Sequence, residues 1–202
     1  MKKLPTPPVD YYAFLRPEQE IERCFLEDPE FIAGLNWGKP RYGHPEGQIY
    51  KHIRQVLNNI DQLGLDHPLR LPLRIIAFVH DTFKHVEDKS YPRDWSKHHS
   101  VYARRFLEKY SQYTSLLTVT ELHDEAYHCW CLKFLYNHEE LSDRRLQKLL
   151  QQLGDSIQLY YLFFKCDTKT GDKNPSPKPF AESSCDVPIE ELKPTEPLTG
   201  MT

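Results

Sequence analysis

From Gln48 onward apolar side chains recur at helical spacing. Ile49, His52, Ile53, Val56, Leu57 and Ile60 share one face of a first helix. A second is expected over about residues 71–84, with Ile75, Ile76, Val79, His80 and Phe83 inward, and a third over about 95–110, with His99, Tyr102, Ala103 and Phe106 inward. A fourth carries Leu116, Val119, Thr120, His123, Tyr127, Trp130, Cys131 and Phe134. Two more follow around 142–153 and 156–166. The last, IQLYYLFFKC, is apolar nearly all round, the pattern of a helix through the middle of a core. No stretch alternates as a strand would and no repeat is visible, so the expected fold class is all-α.

The flanks differ. Residues 1–45 mix prolines (Pro5, Pro7, Pro8, Pro17, Pro29, Pro40, Pro45) with short helical pieces such as PEQEIERCFL, and predict an irregular N-terminal arm packed on the core. Residues 46–173 form the helical domain. Residues 174–202, NPSPKPF through VPIEELKPTEPLTGMT, are rich in proline and acid without periodicity, which predicts a disordered or loosely attached tail. A chain of 202 residues is long enough for one sizeable core. Its 26 Lys and Arg against 29 Asp and Glu give a formal charge of −3, so no global basic field draws it to nucleic acid or to a membrane surface. No apolar run approaches the roughly 18–20 residues that span a bilayer, and MKKLPTPPVDYYAF lacks the apolar centre of a signal peptide. The five cysteines are odd in number and irregularly spaced, which together with the missing signal predicts a cytoplasmic protein. Cys129 and Cys131 make a C-x-C that reads as two small buried side chains, since no second cysteine pair exists to close a zinc site.

Composition changes the picture at one point: ten histidines stand against eight glycines and two methionines. His52, His80, His99 and His123 each lie on the apolar face of a different helix. A buried imidazole without a partner is costly, and four of them predict a shared polar centre, imidazole being the commonest metal ligand. His80 is followed by Asp81. Neighbours on a helix diverge by about 100°, so this pair can flank one ion from its edge or serve two, with the carboxylate bridging. His98 and His128 are competitors for the places of His99 and His123, although His128, five residues after His123, needs another face. His138 is expected to end the fourth helix, with Ser142 opening the next. His44 and His67 in proline turns and His85 at a helix end read as structural, with His44 near the mouth of any site.

The ordered set His52, His80-Asp81 and Asp167 resembles the HD-domain superfamily of metal-dependent phosphohydrolases. GHPEGQIYKHIRQVL is similar to the superfamily's opening helix, HDTFK to its HD-x-x-K signature, and YLFFKCDTKTGDK to the segment carrying its last aspartate. His80 follows His52 by 28 residues and Asp167 follows Asp81 by 86, and the resemblance covers about residues 44–172. It implies a single HD-type helical bundle with His52, His80, Asp81 and Asp167 as the core metal set. HHSVYARRF and TELHDEAYH are similar to the helices that supply a second ion, which would make His99 and His123 ligands and Asp81 a bridge. The implied activity is a phosphomonoesterase or phosphodiesterase, acting through metal-activated water on a nucleotide or other small anionic phosphorylated substrate. One or two ions of Mn, Fe, Co, Ni or Zn suit a mixed His and carboxylate shell better than Mg. Asp81 and Lys84 are the expected catalytic residues, Lys84 either holding a phosphate oxygen or paired with an acid such as Asp81. Arg54, Arg93, Lys97 and Lys169 are expected as surface cations that temper the acidity of the region. The acidic residue that nucleotidase-like members carry after the HD pair is missing from TFKH, and the Gly-Tyr-Pro signature of cyclic-dinucleotide phosphodiesterases is absent. A di-iron oxygenase on the same fold and a non-catalytic metal- or nucleotide-binding regulatory module are the alternatives.

Overall fold

The computed structural model describes residues 9–171, and among these it is all-helical, without a strand. Three short helices open the chain. Helix α1 (Tyr11–Leu15) is capped by the Asp10 carboxylate, which accepts from the Ala13 N–H. In α2 (Glu20–Glu27) the Glu22 carboxylate reaches back to the N–H groups of Glu18 and Gln19 at 2.6 and 3.3 Å. Asp28 and Pro29 start α3 (Pro29–Leu35), one supplying the cap and the other a preset φ. The longer elements follow: α4 (Ile49–Asp61), α5 (His67–Val79), α6 (His99–Leu107), α7 (Thr114–Leu122), α8 (Glu125–Phe134), α9 (Glu139–Leu153) and α10 (Ile157–Thr168). No helix among the described residues is long and apolar enough to cross a membrane.

The core is organised around α5 and α10, which pack on each other and on α4. Residues 71–79 of α5 are buried without interruption, as are residues 159–164 of α10. The short helices join this core through aromatic rings. Phe25 and Phe31 lie 5.8 Å apart, and Phe31 stacks on Phe78 of α5 and Phe106 of α6. The one charged residue in the buried run of α5, Arg74, donates to Glu22 through Nε and Nη2 at 2.7 and 3.0 Å, with both side chains out of contact with water. This fork-to-carboxylate pair ties α2 to α5.

Four details depart from the periodicity. The helix expected over 71–84 stops at His80 and continues as a 3-10 turn, Thr82–His85; the Thr82 hydroxyl takes the Phe78 carbonyl at 2.7 Å. The helix expected over 95–110 is split at His98 between a 3-10 turn, Trp95–Lys97, and α6. The fourth is split at His123-Asp124 into α7 and α8. Finally, His138 does not end the fourth helix, nor does Ser142 open the next. Helix α8 closes on the carbonyls of Cys131 and Leu132, with Asn137 in the left-handed conformation (φ 56°). His138 then precedes α9, and Ser142 is buried inside it, donating to the Cys129 carbonyl at 2.8 Å. The tail from residue 174 and the first eight residues lie outside the described residues.

One glycine fixes how α3 meets the break after α5. A Cβ on Gly34 would stand 1.9 Å from the Thr82 carbonyl oxygen, so only glycine lets α3 sit against the turn that follows His80-Asp81.

Arg74→Met leaves the Glu22 charge buried without its partner. It is expected to cost about 3–5 kcal/mol in denaturant unfolding, and the double change Arg74→Met with Glu22→Leu should recover much of that loss. A single variant within about 0.5 kcal/mol of wild type, the usual range for surface changes, would show that the pair does not hold α2 to the core.

Candidate metal centre

The breaks in the helices converge. His52 lies in the first turn of α4, His80-Asp81 at the end of α5, His99 at the start of α6, His123-Asp124 between α7 and α8, and Asp167 in the last turn of α10. At a helix end two neighbours are not held 100° apart. Asp81, with φ −106° and ψ −9°, is turned so that both it and His80 face the same centre.

Asp81 is buried and its two oxygens face different sets of groups. Oδ2 lies 3.7 Å from Nε2 of both His52 and His80, and accepts from Lys84 Nζ at 2.5 Å. Oδ1 lies 3.3 Å from His99 Nε2 and 3.5 Å from His123 Nε2. A second carboxylate stands on each side. Asp167 Oδ1 is 2.9 Å from His52 Nε2 and 3.8 Å from His80 Nε2, while Asp124 Oδ2 is 3.3 Å from His99 Nε2 and 3.5 Å from His123 Nε2. Each half therefore offers two imidazoles, one carboxylate of its own and one oxygen of Asp81.

The outer ring nitrogens fix the tautomers. Nδ1 of His80 donates to the Ala77 carbonyl at 3.0 Å and Nδ1 of His123 to the Thr120 carbonyl at 2.9 Å, which leaves each Nε2 an inward lone pair. His52 Nδ1 faces Glu46 Oε1 at 3.1 Å and His99 Nδ1 faces Glu87 Oε1 at 3.4 Å. Nε2 of His52 and Nε2 of His80 stand 3.3 Å apart, two nitrogens that need a positive species between them or a proton on one. Nε2 of His99 and of His123 are buried without a hydrogen bond, although carboxylate oxygens lie close. This donor set of inward imidazole nitrogens and carboxylates, with Lys84 the cation at the floor, fits a divalent metal ion.

The electrostatics agree with that fit. Burial, reinforced by His123 and His52, pulls His80 down to about 3 against the pull of Asp81 and Asp167, so its ring is neutral. Burial would raise Asp81, but Lys84 and the surrounding histidines hold it well below the usual carboxylate range. Asp124 is held down in the same way by His123, His99 and Lys84. Burial opposes charge on His99, yet Asp124, Asp81 and Glu87 outweigh it and raise the ring to about 10. Three carboxylates thus draw positive charge to the point where His99 sits.

All seven residues expected from the sequence meet here: His52, His80, Asp81, Lys84, His99, His123 and Asp167. Lys84 is paired with Asp81 while also lining the cavity above it. Asp124, Glu46 and Glu87 were not expected. Asp124 had a visible signal, since His123-Asp124 repeats the His80-Asp81 dipeptide. His98 is buried, bonded to Ser100 Oγ at 2.8 Å and 3.4 Å from Glu87, so it backs the centre through Glu87. His128 lies at the cavity wall against Arg145 and Glu125. His44 bonds Glu46 and lines the cavity, and His85 donates to the Thr82 carbonyl; His67 opens α5 rather than occupying a turn. Of the expected surface cations only Arg93 reaches the centre, through its bond to Glu87 behind His99; Arg54, Lys97 and Lys169 are bonded to other groups, and none of the four lines the cavity. Cys129 is buried, with its thiol pushed up to about 11 by that burial, and among the described residues neither it nor Cys131 belongs to a possible ligand group.

A cavity of about 420 Å³ opens over the centre. Asp81, Lys84, His123, Asp124 and Asp167 form its floor, and Tyr42, Tyr127, Trp130, Leu135 and Phe164 stand around them.

Compared with protein-family models, with curated proteins and with solved structures, the chain matches none.

Glu46→Gln and Glu87→Gln remove the carboxylates behind His52 and His99 without touching the inward atoms. Each is expected to weaken Mn(II) binding about 10–100-fold in calorimetric titration, with the helical circular dichroism unchanged. Wild-type affinity in both variants would show that these carboxylates do not orient the rings for a metal.

Proposed function

We propose that the protein is a metal-dependent phosphohydrolase that cleaves a phosphoester of a small anionic substrate at two ions sharing Asp81. The observation that carries this reading is the division of the Asp81 oxygens between two histidine pairs. His52, His80 and Asp167 would hold one ion and His99, His123 and Asp124 the other. Mn, Fe, Co, Ni or Zn suit the mixed shell. Such ions lower the pKa of bound water to supply an attacking hydroxide and neutralise charge on phosphoryl oxygens.

The protein's own groups would do the rest. The Ala77 and Thr120 carbonyls take the Nδ1–H of His80 and His123, so Nε2 is the nitrogen each ring turns inward, and Glu46 and Glu87 hold the rings of His52 and His99 in place. Phe163 packs edge-on against His80 at 5.1 Å and against His123 at 6.3 Å, an apolar support on one side of both rings. Lys84 keeps Asp81 ionised. An ammonium has three donors and Asp81 takes one, so those left can meet a phosphoryl oxygen in the cavity. The resemblance of the His52, His80-Asp81, Asp167 order to HD-domain phosphohydrolases supports the same chemistry.

The test is a panel of phosphomonoesters and phosphodiesters assayed with Mn- or Fe-loaded protein and with chelated protein. Turnover should require metal, fall by about 10²–10³-fold or more in Asp81→Ala, and fall by about 10–100-fold in Lys84→Gln, magnitudes set by loss of charge stabilisation at the reacting group. Metal-loaded protein that consumes oxygen and hydrolyses no phosphoester would replace this reading with an oxygenase. Metal binding without turnover of either kind would replace it with a regulatory module.

A further inference from the structure

The walls of the cavity are unlike its floor. Tyr127, Trp130 and Phe134 recur at helical spacing on α8, and their rings form a continuous ridge: Tyr127 and Trp130 are nearly parallel at 6.1 Å, and Trp130 and Phe134 are 5.9 Å apart. Tyr127 and Trp130 line the cavity, as do Leu135 just beyond α8 and Tyr42 from the loop before α4. Tyr42, Tyr127 and Leu135 are exposed, which leaves large apolar surface around a polar centre that does not need it for folding. Aromatic faces of this kind take up flat apolar rings.

The floor sets the charge. Three carboxylates, Asp81, Asp124 and Asp167, and one ammonium, Lys84, leave it two charges negative. Two divalent ions would reverse this to two positive charges, which balance one phosphomonoester dianion. A triphosphate brings about two further negative charges, and among the described residues the lining holds no other lysine or arginine to receive them. At about 420 Å³ the cavity lies near the small end of the roughly 300–1,000 Å³ typical of ligand sites.

Resting on the phosphohydrolase reading, we infer that the substrate is a monophosphate carried on a flat aromatic body, with the α8 ridge selecting the body and the floor admitting a single phosphoryl group. Tyr127 is the specificity-determining residue that can be changed most safely, because it is exposed whereas Trp130 is buried.

The test compares the Mn-loaded full chain on phenyl phosphate, a purine nucleoside monophosphate, glycerol phosphate and a nucleoside triphosphate. A parallel arm measures calorimetric binding of phenylphosphonate and methylphosphonate, which are not phosphoesters. Both aromatic monophosphates should exceed glycerol phosphate and the triphosphate by about tenfold or more in kcat/KM, and phenylphosphonate should bind about tenfold more tightly than methylphosphonate, the scale of one aromatic contact. In Tyr127→Ala the preferences over glycerol phosphate and over methylphosphonate should fall toward unity while the discrimination against the triphosphate stays; Tyr127→Phe should keep all three. With both aromatic monophosphates ahead of glycerol phosphate, a faster rate on the nucleotide would narrow the body to a nucleobase, and equal rates on the two would assign recognition to the ring alone; either supports the inference. Turnover of glycerol phosphate or of the triphosphate at least as fast as the aromatic monophosphates would overturn the inference and leave the phosphohydrolase reading standing. No turnover of any substrate together with no phosphonate binding would remove that reading itself.

Discussion

One buried carboxylate organises this molecule. Asp81 lies among four inward-facing imidazole nitrogens and a lysine, with one oxygen toward His52, His80 and Lys84 and the other toward His99 and His123. Asp124 and Asp167 add negative charge on either side. Inward lone pairs and carboxylates repel one another in a medium of low polarity, so such a cluster persists only when positive charge is shared across it. In the chain alone that charge comes from Lys84 and from a proton drawn to His99. Divalent ions would supply it in greater measure, and the donor atoms are of the kind they take.

The fold holds this cluster by ending helices at it. Helix α5 delivers His80-Asp81 from a fully buried segment, and α10, packed beside it, delivers Asp167. The turn after Asp81 is pressed by α3 at Gly34, where no side chain fits, and α3 is fixed in turn by the Phe25, Phe31, Phe78 and Phe106 rings and, through α2, by the Glu22–Arg74 pair. The N-terminal helices are therefore part of what positions the centre, although they contribute no ligand atom to it. Glu46 and Glu87 extend the same logic outward, one behind His52 and one behind His99.

Much of this was legible in the chain. Four histidines on four apolar faces pointed to a common polar centre, and the resemblance of the His52, His80-Asp81, Asp167 order to HD-domain proteins added Asp167 to it. The all-helical class followed from periodicity. The breaks did not, because a periodic pattern continues through a helix end whenever the same apolar face is resumed: Thr82, His98 and His123-Asp124 interrupt helices whose buried faces stay in register. Glu46 and Glu87 were hidden for another reason. Both lie in irregular segments with no period to assign a face, and acidic residues in loops are ordinarily solvated. Ser142 looked like a helix cap because serine favours that position, but tertiary context took its hydroxyl to the Cys129 carbonyl instead.

Under the proposal that Asp81 serves two ions at once, metal stoichiometry is the decisive measurement. Elemental analysis of the folded protein after saturation with Mn(II) and removal of free ion should give two ions per chain. Asp81→Ala should lose both, whereas Asp167→Asn and Asp124→Asn should each lose one. A single ion per chain, or two ions retained when Asp81 is removed, would show that Asp81 does not serve two ions.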